Sequence, residues 1–133
     1  RGCLWSMRSH PLTGEVHVVR WDGDATTVRR WPLAGVTLPQ SMHTVAQTRD
    51  WLVLVDCAFR VDPAEALGGG ERSVTTFTDE PAWLVRKDDL EAAPDGTPVT
   101  PRAALRLAPE LNHYYGVWDD TDGVRLLLQA LLD

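Results

Sequence analysis

Basic charge, cysteine and long apolar runs are scarce in this sequence, and each shortage excludes a class of protein. Its 133 residues include 13 lysines and arginines against 19 acidic residues, a net charge of −6. The chain lacks the basic surface that binding to a phosphate backbone requires, so nucleic acid is not an expected partner. Its longest apolar stretches, WLVLVDCAF and VRLLLQALL, have roughly 9 to 10 residues, about half of a membrane span. Only peripheral contact with a membrane stays open.

The chain has 2 cysteines, Cys3 and Cys57, and no visible signal peptide. Two such cysteines are most simply interpreted as reduced thiols, which favours a cytoplasmic location. The motifs CxxC, HExxH, GxGxxG, GxSxG and the P-loop are absent from the sequence. Zinc-ribbon, metalloprotease, dinucleotide-binding, hydrolase and nucleotide-binding classes therefore lack their signatures. The acidic run DDTDG lacks the spacing of acidic residues that a calcium-binding loop requires. A hairpin turn is the favoured interpretation.

Short β-rich segments separated by glycine-containing turns predict an all-β fold. The turns LTGE, WDGD, LGGGE, APDGT and DDTDG each place glycine where a tight turn requires a positive φ. Weak helical character is confined to Pro63 to Leu67 and the end of the chain. The predicted strands are Glu15 to Trp21, Thr26 to Pro32, Trp51 to Phe59, Ser73 to Phe77, Ala82 to Arg86, Ala104 to Ala108, Tyr114 to Trp118 and Val124 to Leu128.

Strands at roughly 8 to 15 residue intervals with hairpin connections are typical of a sandwich, a barrel or the successive blades of a propeller. Periodicity does not choose among the three. Two Trp-Asp pairs, Trp21-Asp22 and Trp118-Asp119, are similar to the WD dipeptide of one propeller family. No Gly-His partner and no repeat of roughly 40 residues accompanies them, so they carry little weight.

The 4 histidines are the best candidates for a functional site. A lone histidine is usually a hydrogen-bonded imidazole in the core or on the surface, which is the simplest interpretation of His10 and His17. His43 and His113 differ because each lies at the start of a segment that contains aromatic residues. Neither has a second ligand at local metal-binding spacing, so a metal held by them must be assembled from distant parts of the chain.

Two ordered motifs resemble those of the carotenoid cleavage oxygenases, a non-haem iron family with apocarotenoid, lignostilbene and retinoid-processing members. In the first, Met42-His43 is followed by Ala46, Thr48 and an aromatic-led apolar strand. In the second, His113-Tyr114-Tyr115-Gly116-Val117-Trp118-Asp119-Asp120 keeps the histidine, an aromatic residue two places later, the tryptophan and an acidic pair. The 70 positions between the two histidines (113 − 43) are similar to the family interval.

The resemblance implies a seven-bladed β-propeller with one Fe(II) at its axis, held by four histidines from different blades. It implies that His43 and His113 are two of these ligands. His10-Pro11 resembles the motif of the first ligand, although an ungapped alignment on Thr13-Gly14-Glu15 puts Ser6 there instead. The fourth histidine would lie beyond residue 133. Neutral imidazoles suit ferrous iron, and their protonation at low pH would abolish binding.

The implied activity is a dioxygenase that cleaves a conjugated C=C bond of a carotenoid, apocarotenoid or stilbene-type substrate with O₂ to give carbonyl products. Departures at Thr44, Val45, Gly116 and the Asp119-Asp120 pair indicate a divergent branch and leave the substrate open. The chain starts at Arg1 and ends in an apolar run. We therefore expect residues 1–133 to be a partial propeller of about two to three blades, truncated at both ends and inactive alone.

The alternative to this enzyme is a non-catalytic β-propeller or sandwich that binds protein or carbohydrate and uses its histidines structurally. A propeller that has lost one ligand is intermediate between the two hypotheses.

Overall fold

A computed structural model describes residues 2–10, 12–24, 26–38, 45–56, 68, 80–107, 111–121 and 123–130, with only the backbone described at 80, 111–115 and 129–130. The described residues form an all-β fold with one short helix, which confirms the predicted fold class. The elements are β1 (Leu4–Ser9), β2 (Glu15–Trp21), β3 (Val28–Thr37), β4 (Ala46–Gln47), β5 (Trp51–Val55), β6 (Glu80–Arg86), α1 (Lys87–Ala92), β7 (Ala103–Leu107), β8 (Leu111–Asp120) and β9 (Gly123–Ala130).

The strands form three antiparallel sheets in chain order. The first sheet is β1-β2-β3, the second is β4-β5-β6-β7, and the third is β8-β9. Sequential strands are neighbours throughout, so each sheet is a meander whose first strand lies at an edge. A single parallel bridge between Leu33 and Val99 ties β3 to the segment that follows α1. The three first strands, β1, β4 and β8, thus each have one edge that pairs with no other described strand.

The second sheet is packed between the other two, and β5 is the strand that shows this most clearly. Leu52 and Leu54 belong to a core shared with the first sheet, whereas Val53 and Val55 belong to a core with β8 and β9. A strand covered on both faces contains a continuous apolar run rather than an alternating one. The stretch WLVL, which the sequence predicted to be a buried strand, has this pattern for that reason.

Two cores hold the three sheets together. The larger one includes two stacked tryptophans, Trp5 and Trp31, whose ring centroids are 6.1 Å apart. Both tryptophans are in the first sheet, and α1 closes the core through the fully buried Leu90. The larger core consists of Trp5, Val16, Val18, Trp31, Leu33, Val36, Leu38, Leu52, Leu54, Trp83, Val85, Leu90 and Val99. The smaller core consists of Ala46, Val53, Val55 and Ala82, against which Leu84, Leu107, Val117, Val124 and Leu126 pack.

Gly14 is the turn residue with the strictest requirement. Its φ is 70°, and a Cβ atom there would lie 2.8 Å from Thr37 Cγ2. The predicted positive φ is also present at Gly23, Gly68 and Gly96. Gly123 is different, because it is the first residue of β9 and its φ is not positive.

Most predicted strands that fall on described residues are confirmed. β2 has the predicted limits, β3 continues five residues past Pro32 to Thr37, and β9 is a strand where the sequence also indicated helical character. The sequence did not predict β1, β4 or α1. Predictions for Ser73 to Phe77, for Pro63 to Leu67 and for the end of the Trp51 to Phe59 strand lie outside the described residues.

Candidate functional site

His43 lies outside the described residues, and of His113 only the backbone is described. Residue 113 is in β8, where it pairs with Gln129 of β9. The register of β8 against β9 shifts on both sides of this position, between Leu111 and His113 and between Tyr114 and Gly116. Such bulges bend a strand locally and are frequent next to binding sites, because they redirect a side chain. The role of both histidines as iron ligands stays a prediction.

The strand that follows His43 lies against the strand that carries His113. Val117 of β8 packs on the small core that contains Ala46 of β4. Just beyond β4, the backbone N–H of Arg49 donates to Asp119 Oδ2 at 3.2 Å, across a separation of 70 residues. The shared core and the hydrogen bond between Arg49 and Asp119 bring the segment at β4 against β8.

His10 lies in the turn between β1 and β2, and its ring is used there. Its Nδ1 accepts hydrogen bonds from the backbone N–H groups of Leu12 at 3.3 Å and Thr13 at 3.2 Å. A neutral imidazole that accepts at Nδ1 carries its hydrogen on Nε2. Neither nitrogen then has a free lone pair for a metal. Ligation by His10 stays a prediction, and it requires this turn to release Nδ1.

Ser6, the alternative position for the first ligand, lies exposed in β1 opposite Val19 of β2. Within the described ranges no group of three histidine, cysteine or acidic side chains is arranged to hold a metal ion.

The acidic run at the end of β8 forms a hairpin turn, as the sequence predicted. Asp120 accepts a hydrogen bond from the Thr121 backbone N–H, and its carboxylate also pairs with Arg125. These two donors lower the pKa of Asp120 below its ordinary value. Asp119 points to β4 instead, and its buried Oδ1 has no hydrogen-bond partner in the part of the chain that the structure describes.

Lys87 marks the place where the first strands of the three sheets approach one another. Its Nζ donates to the backbone carbonyl of Thr48, beside β4, and lies 5.6 Å from the ring centroid of Trp5 in β1. Burial lowers the pKa of Lys87, and nearby negative charges, Asp119 of β8 among them, oppose this shift only in part. No sequence pattern indicated this contact, because an isolated lysine before a helix is usually a surface residue.

A second site was also not predicted. An open pocket with a volume of about 510 Å³ lies on the outer face of the first sheet, the face turned away from the larger core. Successive side chains of a strand point to opposite faces. Val16 and Val18 are buried on the inner face of β2, so His17 lies on the outer face with the pocket. The polar residues around the pocket are Arg8, His10, Glu15, His17, Arg30 and Asp95.

No protein-family model, no curated protein and no solved structure matches this chain. Among the residues that the structure describes, no helix is long and apolar enough to cross a membrane.

Proposed function

We propose that the chain is part of a non-haem Fe(II) dioxygenase of the carotenoid-cleavage type. Its reaction would be the O₂-dependent cleavage of a conjugated C=C bond in a carotenoid, apocarotenoid or stilbene-type substrate, with two carbonyl products. The observation that carries the proposal is the contact between β4 and β8, because it brings together the two segments whose motifs resemble those of the family.

The offset of this contact agrees with the spacing of the two histidines. Arg49 and Asp119 are 70 residues apart and in contact, and the same interval separates His43 from His113. A parallel course of the two segments away from this contact would bring residue 43 near residue 113, as a shared metal ligand set requires.

The arrangement of the sheets supports the propeller component of the proposal. Each of the three sheets is a meander, and they stack face to face in chain order. Propeller blades are four-stranded meanders arranged in this way around a channel, and the second sheet has four strands. The first strands of all three sheets approach Lys87, as inner strands would approach an axis. We therefore propose that residues 1–133 contribute about two to three blades.

Bound iron would supply the activation of O₂. The contribution of this chain would be to hold the ion through the neutral imidazoles of His43 and His113, which add no negative charge to the site. His10, the candidate third ligand, has less support than His43 and His113, because its Nδ1 already accepts two backbone hydrogen bonds. A cytoplasmic location stays a prediction.

Iron content in the intact protein tests the proposal. We expect the parent protein to contain iron and the His43→Ala and His113→Ala variants to lose most of it. His17→Ala is the matched control, because His17 bonds to Glu15 on the outer face of the first sheet. Iron that is retained in both ligand variants would contradict the assignment.

A non-catalytic β-rich binding module is the second candidate, and the bonding of His10 favours it. The ring of His10 holds its own turn together, which is a structural role. If this candidate is right, the parent protein contains no iron, and both alanine variants fold and bind partners as the parent does.

A further inference from the structure

The outer face of the first sheet holds two arginines whose guanidinium groups have no partner among the described residues. Neither Arg8 nor Arg30 has a side-chain hydrogen bond, ion pair or ring contact with any residue that the structure describes. Other described arginines pair with carboxylates: Arg20 and Arg29 with Asp22, Arg49 with Asp50, Arg86 with Asp88, Arg102 with Asp89 and Arg125 with Asp120. Both unpartnered arginines line the same pocket.

The register of the sheet places the two guanidinium groups on either side of one strand. Arg8 of β1 pairs with His17, and Arg30 of β3 pairs with Val19, which is the next residue of β2 on the same face. Strands are about 4.8 Å apart and the two positions are offset by two residues along β2, so the backbones of Arg8 and Arg30 are separated by roughly 12 Å. Side chains of this length, rising from both sides of β2, can close on a ligand that lies over it.

One carboxylate oxygen of each acidic residue of the pocket is already engaged. Glu15 Oε1 lies 3.1 Å from His17 Nε2, and Asp95 Oδ1 accepts the backbone N–H of Arg30 at 2.7 Å. His10, with its hydrogen on Nε2, adds one neutral donor. The donors left without a partner among the described residues include two guanidinium groups, planar forks that match the oxygens of a carboxylate or phosphate.

The pocket also has an apolar part. Val19 and Val28 line it, and 55% of Val28 is exposed. A volume of about 510 Å³ is within the ordinary range for a small-molecule site.

We propose that Arg8 and Arg30 bind a small organic oxyanion, a carboxylate or a phosphate ester, whose apolar part lies on Val19 and Val28. Of the candidate iron ligands named above, His10 is among the described residues around this pocket. The pocket lies on the opposite face of the first sheet from the second and third sheets.

Titration of the ¹⁵N-labelled protein with benzoate and, separately, with inorganic phosphate tests the proposal by NMR. We expect saturable shifts confined to β1, β2, β3 and the turn around Asp95, and the probe that binds more tightly identifies the head group. Arg8→Gln and Arg30→Gln should each weaken binding about tenfold or more, since each removes a charge-assisted pair of hydrogen bonds. Arg30→Lys should restore only part of the affinity, because lysine keeps the charge without the fork.

Arg125→Gln is the matched control, since it removes an exposed arginine from β9 of the third sheet. It should bind both probes like the parent protein. Shifts that do not saturate, or an equal loss of affinity in Arg125→Gln and the two pocket variants, would overturn the proposal. The exposed positions of Arg8 and Arg30 make unfolding of these variants unexpected, and their NMR spectra report it directly.

Discussion

The ammonium group of Lys87 lies 5.6 Å from the ring centroid of Trp5 and connects the second sheet to the first. The same group donates to the Thr48 carbonyl and to Gln47 Oε1, so one cation joins the ends of β1 and β4. A cation over a desolvated tryptophan ring is stabilising, but its burial also costs hydration. The lowered pKa of Lys87 records that cost.

The pH dependence of stability should show the lowered pKa of Lys87. Between the folded pKa and the unfolded value near 10.5, the unfolded chain binds more protons than the folded chain. The free energy of unfolding therefore rises with pH through this interval, because part of the desolvation penalty is removed. Chemical denaturation of the parent protein and Lys87→Met across the alkaline range measures this contribution. A parent protein that shows no rise relative to the variant would contradict it.

Truncation of the buried strand β5 should be costly. Leu54 is fully buried, so Leu54→Ala should lower the free energy of unfolding by about 2–5 kcal/mol through lost burial and a residual cavity. Leu105→Ala is the control, because Leu105 lies in β7 with 42% of its surface exposed and should cost well under half as much. Urea unfolding of the two variants checks the difference. Equal costs would show that β5 is not at the centre of the packing.

Two glycines with similar φ angles should respond differently to alanine. At Gly35, where φ is 73° and the space is open, alanine should cost roughly 1–2 kcal/mol for its left-handed backbone alone. At Gly14 the new methyl group would also lie 2.8 Å from Thr37 Cγ2 and 3.2 Å from the Leu38 carbonyl. Thermal unfolding should therefore give a lower Tm for Gly14→Ala than for Gly35→Ala. The opposite order would contradict the tight packing of this turn.

The contact between Arg49 and Asp119 should matter for the proposed metal centre. Asp119→Ala removes the acceptor that holds the end of β4 against β8, so we expect iron retention by the intact protein to fall several-fold. Asp120→Ala is the neighbouring control, because it breaks the pair with Arg125 inside the β8–β9 hairpin and leaves β4 untouched. Metal analysis after dialysis against a chelator measures both. Equal iron retention in the two variants would show that metal binding does not depend on the β4–β8 contact.

The sequence predicted those features that depend on local pattern. β5 is buried on both faces and is therefore continuously apolar, whereas β2 is buried on one face and therefore alternates between apolar and polar residues. Both patterns can be recognised in the sequence. β1 was not predicted, because its sequence LWSMRS mixes polar and flexible side chains. The six residues of α1 were too few to establish a helical period.

Features of the candidate sites depend on tertiary contacts and could not be obtained from local pattern. The approach of β4 to β8 joins segments 70 residues apart, and only the resemblance of two motifs indicated it. The unpartnered state of Arg8 and Arg30 depends on which carboxylates the register brings near them. Arg20 and Arg29 are in the same sheet, and both form ion pairs with Asp22. Nothing in the residue types distinguishes these two arginines from Arg8 and Arg30.

Odd and even positions of β5 belong to separate cores, and this has a consequence for how the protein tolerates substitution. A change in side-chain volume at Leu52 or Leu54 must be accommodated by the first sheet, and one at Val53 or Val55 by β8 and β9. Side chains on the two faces of β5 pack against different neighbours, so a volume change on one face can be compensated without a change on the other. The two packing layers can therefore diverge separately, although they share a single strand of five residues.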